Sequence, residues 1–180
     1  MKALLLSLIA MAATFTAYGQ DGKTLVVYYS RTGNTEAVAK HIQELTGADL
    51  FRVETVKDYP ADYRETTDVA KKELNDNARP EIKGEVANIS GYDTVFIGFP
   101  IWWGTYPMGI ASFLDTYDLH GKTVIPFCTH GGGGVDKGFT DVERETPGAV
   151  YKKGLSLSGT RAERSRPEVE KWLKEIDVIK

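Results

Sequence analysis

Small polar residues crowd one short segment near the start of the chain. Four hydroxyl or amide side chains flank a single glycine in residues 30–35, which read SRTGNT between an apolar run and an amphipathic one. A helix N-terminus presents unpaired N–H groups and a partial positive charge, and small residues let an anion reach them. These residue types also cap ordinary helices, yet the segment holds more polar groups than one cap needs and therefore predicts a phosphate site.

Two further loops have unusual compositions, and each follows an apolar run. Residues 100–104, PIWWG, come after the run 93–99, and residues 129–132, THGG, come after the run 122–128. Indole rings can stack on a planar ligand, and glycine-rich backbone can approach one closely. Buried packing of the tryptophans and a mobile surface loop for the glycines are the alternatives. Because adjacent tryptophans between Pro100 and Gly104 cannot both point inward, we expect at least one to be exposed.

The elements that would position these loops alternate along the chain. We predict strands at residues 24–30, 49–56, 93–99, 122–128 and 150–157, the last weakened by Gly154, and helices at 35–45, 64–77, 107–117, 136–145 and 166–176. Such alternation predicts an α/β fold, a parallel sheet with helices on both faces. Ligands of these sheets bind beyond the carboxyl ends of the strands, where all three loops lie. Together the loops predict a site for a phosphate attached to a planar ring.

The bulk composition is that of one soluble globular domain. The chain has 180 residues, of which 42% are hydrophobic and 26% charged, and its formal net charge is -3 without a basic block. We therefore expect neither nucleic acid nor an anionic membrane surface as a partner. The single cysteine, Cys128, excludes an intrachain disulfide, and its place in an apolar run favours a small buried residue over a nucleophile.

The first residues have the pattern of an export signal. Lys2 precedes an uncharged apolar run that ends in Ala17, Tyr18 and Gly19, with small residues at the spacing of a signal-peptidase site. We expect cleavage after residue 19, which leaves residues 20–180 as the mature domain in an exported, periplasmic location. The run is short for a membrane span, so that no span is expected after cleavage, and an uncleaved anchor is the alternative.

Three segments together resemble a known family. The stretches VVYYSRTGNTEAVAKHI, YDTVFIGFPIWWGTYP and VIPFCTHGGGG, in that order and spacing, resemble those of flavodoxins, and the similarity extends over essentially the whole chain after the signal. The resemblance implies a flavodoxin-like three-layer α/β sandwich. Its five-stranded parallel sheet would have the strand order 2-1-3-4-5, and the cofactor would be FMN.

The resemblance also implies three groups of FMN-binding residues. The phosphate would be held by Ser30, Thr32, Gly33, Asn34 and Thr35, with Arg31 in the same loop at a variable position whose role is open. The isoalloxazine would be lined by Pro100, Ile101, Trp102, Trp103 and Gly104, with one indole stacked on it. Its pyrimidine edge would be approached by Thr129, His130, Gly131 and Gly132, where His130 replaces a more typical small residue. No catalytic residue and no metal ligand is implied.

The expected function is electron transfer through FMN to a redox partner protein or a small electron acceptor. The flavin carries the redox chemistry, so that the protein needs to supply only orientation, burial and local charge. Two alternatives are kept. One is an FMN-dependent NAD(P)H:quinone-type reductase, and the other is an exported binding protein of the same fold with weak or no FMN binding.

Overall fold

A parallel sheet forms the centre of the protein in the computed structural model, which describes residues 22–180. The strands are β1 (Thr24–Tyr28), β2 (Asp49–Arg52), β3 (Thr94–Pro100), β4 (Thr123–His130), β5 (Val150–Tyr151) and β6 (Leu155–Ser158). The helices are α1 (Asn34–Thr46), α2 (Tyr63–Asn75), α3 (Met108–Thr116), α4 (Gly138–Glu145) and α5 (Arg166–Glu175). The sheet order is β2-β1-β3-β4-β5, with β6 also paired to β4, and every pairing is parallel. The predicted strand order is confirmed.

The sheet separates two apolar layers because successive side chains of a strand point to opposite faces. Val27 and Ile97 pack on one face with Phe113 of α3. Val26 and Phe96 lie on the opposite face, in the layer that also holds side chains of α1 and α5. Burial on both faces explains why β1, β3 and β4 are nearly continuous apolar runs rather than alternating ones.

The predicted strand at residues 150–157 is interrupted. Thr123 pairs with Val150, whereas Phe127 pairs with Leu155, so that the outer strand holds one extra residue. The Lys152 N–H donates to the Val124 carbonyl (3.2 Å), so the backbone polar groups of residue 124 face the outer strand. The backbone of position 126, two residues further along β4, faces the outer strand as well. That position is Pro126, which has no N–H to offer, and the outer strand bulges there.

The second strand is also shorter than the predicted range 49–56. It ends at Arg52, and Thr55 instead forms an antiparallel bridge with Ile82. The Lys83 N–H donates to the Glu54 carbonyl at 2.7 Å, so residues 54–56 leave the parallel sheet for a neighbouring loop. The remaining elements agree with their predicted ranges to within about two residues at each end, the usual scatter of helix and strand boundaries.

The predicted signal at residues 1–19 lies outside the described residues, as do positions 20 and 21 of the predicted domain. Within residues 22–180, no helix combines the length and the apolar composition that a membrane crossing would need.

Candidate functional site

A cavity of about 650 Å³ opens at the carboxyl ends of β1, β3 and β4. The parallel pairing of these strands brings the three predicted loops to one edge of the sheet. Twelve of the fifteen predicted residues line it: Ser30, Arg31, Thr32, Asn34, Thr35, Pro100, Ile101, Trp102, Trp103, Thr129, His130 and Gly131. The three loops therefore border one common cavity.

The turn at residues 30–33 presents donors that the protein does not use. Ser30 is 5% exposed, and within residues 22–180 its Oγ has no hydrogen-bond partner. Gly33 precedes α1 with φ 89°, a left-handed conformation that favours glycine, and no side chain of the described residues caps this helix end. A buried hydroxyl and helical N–H groups without partners fit an anion, which would supply the missing acceptors.

Thr35 and Thr129 join two of the loops. Their hydroxyl oxygens lie 2.9 Å apart, and both side chains are buried, at the first turn of α1 and near the end of β4. When one hydroxyl donates to the other, the accepting hydroxyl keeps its own hydrogen. The pair therefore fixes the relative position of the two loops and can still offer one donor to the cavity.

Trp102 forms a rigid wall of the cavity. Its ring packs edge-to-face on Tyr29 (5.4 Å between centroids) and on Tyr59 (5.2 Å). Burial raises the pKa of Tyr29 to about 12. Burial, and then the hydrogen bond that the Tyr59 phenol donates to Glu73 (2.5 Å), raises the pKa of Tyr59 well above its usual range. Both phenols therefore stay neutral at physiological pH. The two aromatic groups behind the Trp102 indole are thus uncharged, and the Glu73 carboxylate lies beyond Tyr59.

Trp103 is the exposed tryptophan that the sequence predicts, with 51% of its surface accessible. Trp103 and Gly104 have φ 51° and 84° between the mutual backbone hydrogen bonds of Trp102 and Thr105, the pattern of a type I′ turn. A tryptophan in this conformation is strained. Its Nε1 donates to the Thr67 carbonyl of α2 at 2.9 Å, and this contact helps to hold the strained turn in place.

Three predicted residues, Gly33, Gly104 and Gly132, do not line the cavity. Each has a positive φ, so that each turns the backbone of a lining loop. At Gly104 a Cβ would lie 2.3 Å from Asp136 Oδ2, so the position also lacks room for a side chain. Their predicted contacts with a ligand stay a prediction.

His130 has a defined orientation at the end of β4. The Gly132 N–H donates to its Nδ1 at 3.0 Å. A neutral imidazole that accepts at Nδ1 carries its proton on Nε2. The ring is therefore a hydrogen-bond donor through Nε2, and its side chain borders the cavity.

The sequence analysis missed two parts of the lining. Tyr63, Thr66, Thr67 and Ala70 of α2 form one wall, and Gly159 and Thr160 follow β6 at the far side. The second group had a signal, because SGT after the last strand is a small polar turn like the first one. A Cβ on Gly159 would lie 2.7 Å from the Asn34 side chain, which shows how closely this turn approaches α1. The contribution of α2 had no comparable signal.

Cys128 does not belong to the site chemistry. The side chain is 1% exposed, its thiol donates to Ser156 Oγ at 3.4 Å, and burial raises the pKa of Cys128 to about 11. No group of three or more His, Cys, Asp or Glu side chains in residues 22–180 could hold a metal ion.

The raised pKa predicts slow thiol chemistry. At pH 8 the thiolate fraction of folded Cys128 is about a hundredfold below that of a free thiol, because the pKa rises by about two from 9.0 to about 11. Reaction with 5,5′-dithiobis(2-nitrobenzoic acid) should be slowed by at least this factor in the native protein. In 6 M guanidinium chloride one thiol should react at the free-cysteine rate. Rapid reaction of the native thiol at pH 8 would contradict the buried placement.

Comparisons with known proteins agree with this combination of fold and site. The sequence model of the flavodoxin family matches residues 23–176. A candidate flavoprotein from Bacteroides uniformis is 36% identical with a TM-score of 0.76, over 85% of this chain and 98% of that one. A candidate flavoprotein from Bacteroides eggerthii is 34% identical with a TM-score of 0.75, over 86% of this chain and 98% of that one. A comparison with the curated proteins gave no match.

One similar structure contains a ligand. A flavoprotein from Lactobacillus acidophilus, crystallised in complex with FMN, is 27% identical with a TM-score of 0.66, over 84% of this chain and 98% of that one. The doubly wound parallel sheet, the polar turn at residues 30–33 and the tryptophan wall at the carboxyl edge of the sheet are together typical of flavodoxin-like proteins. The chain belongs to the flavodoxin family.

Proposed function

We propose that the protein binds FMN in the cavity at the carboxyl edge of the sheet. The observation that carries this proposal is that a turn with unused donors and a wall of two tryptophans border the same cavity. The phosphate would be held by the hydroxyls of Ser30 and Thr32 and by the N–H groups that begin α1. The ring would lie along Trp102 and Trp103, with the residues at the end of β4 near one of its edges.

We further propose that the bound protein is an electron carrier whose partner is a redox protein or a small electron acceptor. Bound FMN supplies one- and two-electron redox chemistry. The chain's own residues then orient the ring and exclude water from it. The neutral phenols of Tyr29 and Tyr59 behind Trp102 do not stabilise additional negative charge on the ring, which favours a low reduction potential. The positive charge of Arg31 in the same cavity opposes this effect.

The carrier function predicts electron exchange without an enzymatic activity of its own. The FMN-loaded protein, reduced by dithionite under anaerobic conditions, should reduce oxidised cytochrome c in proportion to its flavin content. With NADH or NADPH and a quinone, turnover should not exceed that of the same concentration of free FMN. Steady NAD(P)H-dependent quinone reduction well above this background would instead indicate a reductase.

We also propose that residues 1–19 are a cleaved export signal and that the protein acts in the periplasm. The N-terminal apolar run and its small-residue end support this proposal. Mass spectrometry of the protein from the periplasmic fraction should give a mature N-terminus at Gln20. An uncleaved N-terminus in the cytoplasmic fraction would contradict it.

A further inference from the structure

The helix α2 forms one wall of the cavity, although few of its side chains are buried against the rest of the protein. Thr66, Thr67 and Ala70 of this helix line the cavity, together with Tyr63 at its start. Thr66 and Ala70 are the two buried residues of α2, whereas α1 has five. Because most helical stability in proteins comes from packing of an apolar face, α2 depends on polar contacts more than α1 does.

Three polar contacts fasten α2 and the residues just before it to neighbouring segments of the chain. The Trp103 indole donates to the Thr67 carbonyl, and the Tyr59 phenol donates to the Glu73 carboxylate. The third contact comes from Arg31, whose Nη2 donates to the carbonyls of Ala61 (2.8 Å) and Pro60 (3.2 Å) just before the helix. Arg31 thus connects the turn at residues 30–33 to the residues just before α2.

The Pro60 carbonyl also accepts a hydrogen bond from the first turn of α2. Thr66 Oγ1 donates to the Pro60 carbonyl at 2.7 Å and to the Asp62 carbonyl at 2.8 Å. Asp62 in turn caps the helix, because its side chain accepts from the Glu65 N–H at 3.0 Å. Arg31 is therefore linked to Thr66, which lines the cavity from α2, through two hydrogen bonds that share the Pro60 carbonyl.

Among the lining residues of the described chain, Arg31 alone carries a fixed charge, which makes it an obvious candidate for a phosphate contact. The carbonyl contacts, however, direct its guanidinium towards residues 60–61. We propose that Arg31 is a positioning residue that holds α2 against the turn and so serves the ring side of the cavity rather than the phosphate. This inference rests on the proposed binding of FMN.

A comparison of FMN with riboflavin, which has the ring but no phosphate, separates the two roles. Both ligands are titrated by fluorescence into purified apo-protein of wild type, R31A, R31K and R64A. R31A should weaken both ligands by the same factor, about tenfold, as expected for loss of charge-assisted hydrogen bonds at a partly exposed site. R31K keeps the charge but lacks the planar guanidinium, and it should recover only part of either affinity.

R64A is the matched control, since Arg64 is an exposed arginine on the same helix. It removes one positive charge from α2 and should change either affinity less than twofold, because Arg64 does not line the cavity. Loss of FMN affinity alone in R31A, with full recovery in R31K, would overturn the positioning role and place Arg31 on the phosphate.

Hydrogen exchange of the apo-protein tests the same contact without a ligand. Amides of residues 63–75 should exchange faster in R31A, by about tenfold, while those of α1 keep their wild-type protection. Unchanged exchange in α2 would overturn the inference. If the wild-type protein binds neither flavin, both the proposed function and the ring-side role of Arg31 are overturned. The exchange rates would still decide whether Arg31 restrains α2.

Discussion

Simultaneous removal of the Ser30 and Thr32 hydroxyls, in the variant S30A/T32V, should raise the dissociation constant for FMN about a hundredfold. Each hydroxyl would donate one hydrogen bond to a charged phosphate oxygen, and two such bonds contribute about 3 kcal/mol. That free energy corresponds to roughly two orders of magnitude in affinity. The measurement is a fluorescence titration of purified apo-protein with FMN.

The controls for this variant use a second ligand and the apo-protein. Riboflavin affinity should change less than threefold, since riboflavin has no phosphate. The apo-protein should not lose stability at Ser30, because its buried Oγ has no partner among the described residues and its removal leaves no new unpaired group. Equal losses for FMN and riboflavin would contradict the assignment of this turn to the phosphate.

The second large effect concerns stability. Gly98 lies in β3 directly opposite Phe127, and a Cβ at this position would be 2.1 Å from the ring Cζ. The Phe127 side chain is fully buried, and the close packing of protein interiors leaves such a ring little space to move. G98A should therefore lower the free energy of unfolding by about 3 kcal/mol, the upper range for overpacked cores. For a domain of this size the melting temperature should fall by about 10 °C.

Gly133→Ala is the matched control for G98A. A Cβ on Gly133 meets no atom within 4 Å, and its φ lies outside the left-handed range. The same chemical change should thus alter the free energy of unfolding by less than about 0.5 kcal/mol. Calorimetry or urea unfolding of the apo-proteins measures both variants. Equal stability of G98A and wild type would show that the ring does not cover β3 as described.

Features set by local chemistry could be predicted from the sequence. The cluster of hydroxyls beside Gly33 is a property of six consecutive residues, and it stands at the start of α1 as predicted. The exposure of one tryptophan follows from the residues on either side of the pair, and Trp103 is the exposed one. The strand order came from the resemblance to flavodoxins, since alternation alone does not decide how strands are arranged.

Features that depend on contacts between distant segments could not be predicted. The wall formed by α2 depends on which face of an amphipathic helix meets the cavity, and its pattern of exposed residues resembles that of any surface helix. The interruption of the outer strand requires knowing that Pro126 faces it. The direction of the Arg31 side chain likewise depends on carbonyls about 30 residues away along the chain.

The most direct test of the FMN site is a titration of the purified apo-protein with FMN, followed by the fluorescence of tryptophan and of flavin. Two of the three tryptophans border the cavity, so that binding should quench much of the protein emission. The prediction is saturation at one FMN per chain with a dissociation constant below roughly 1 μM. Absence of saturable binding at concentrations a hundredfold higher would contradict it.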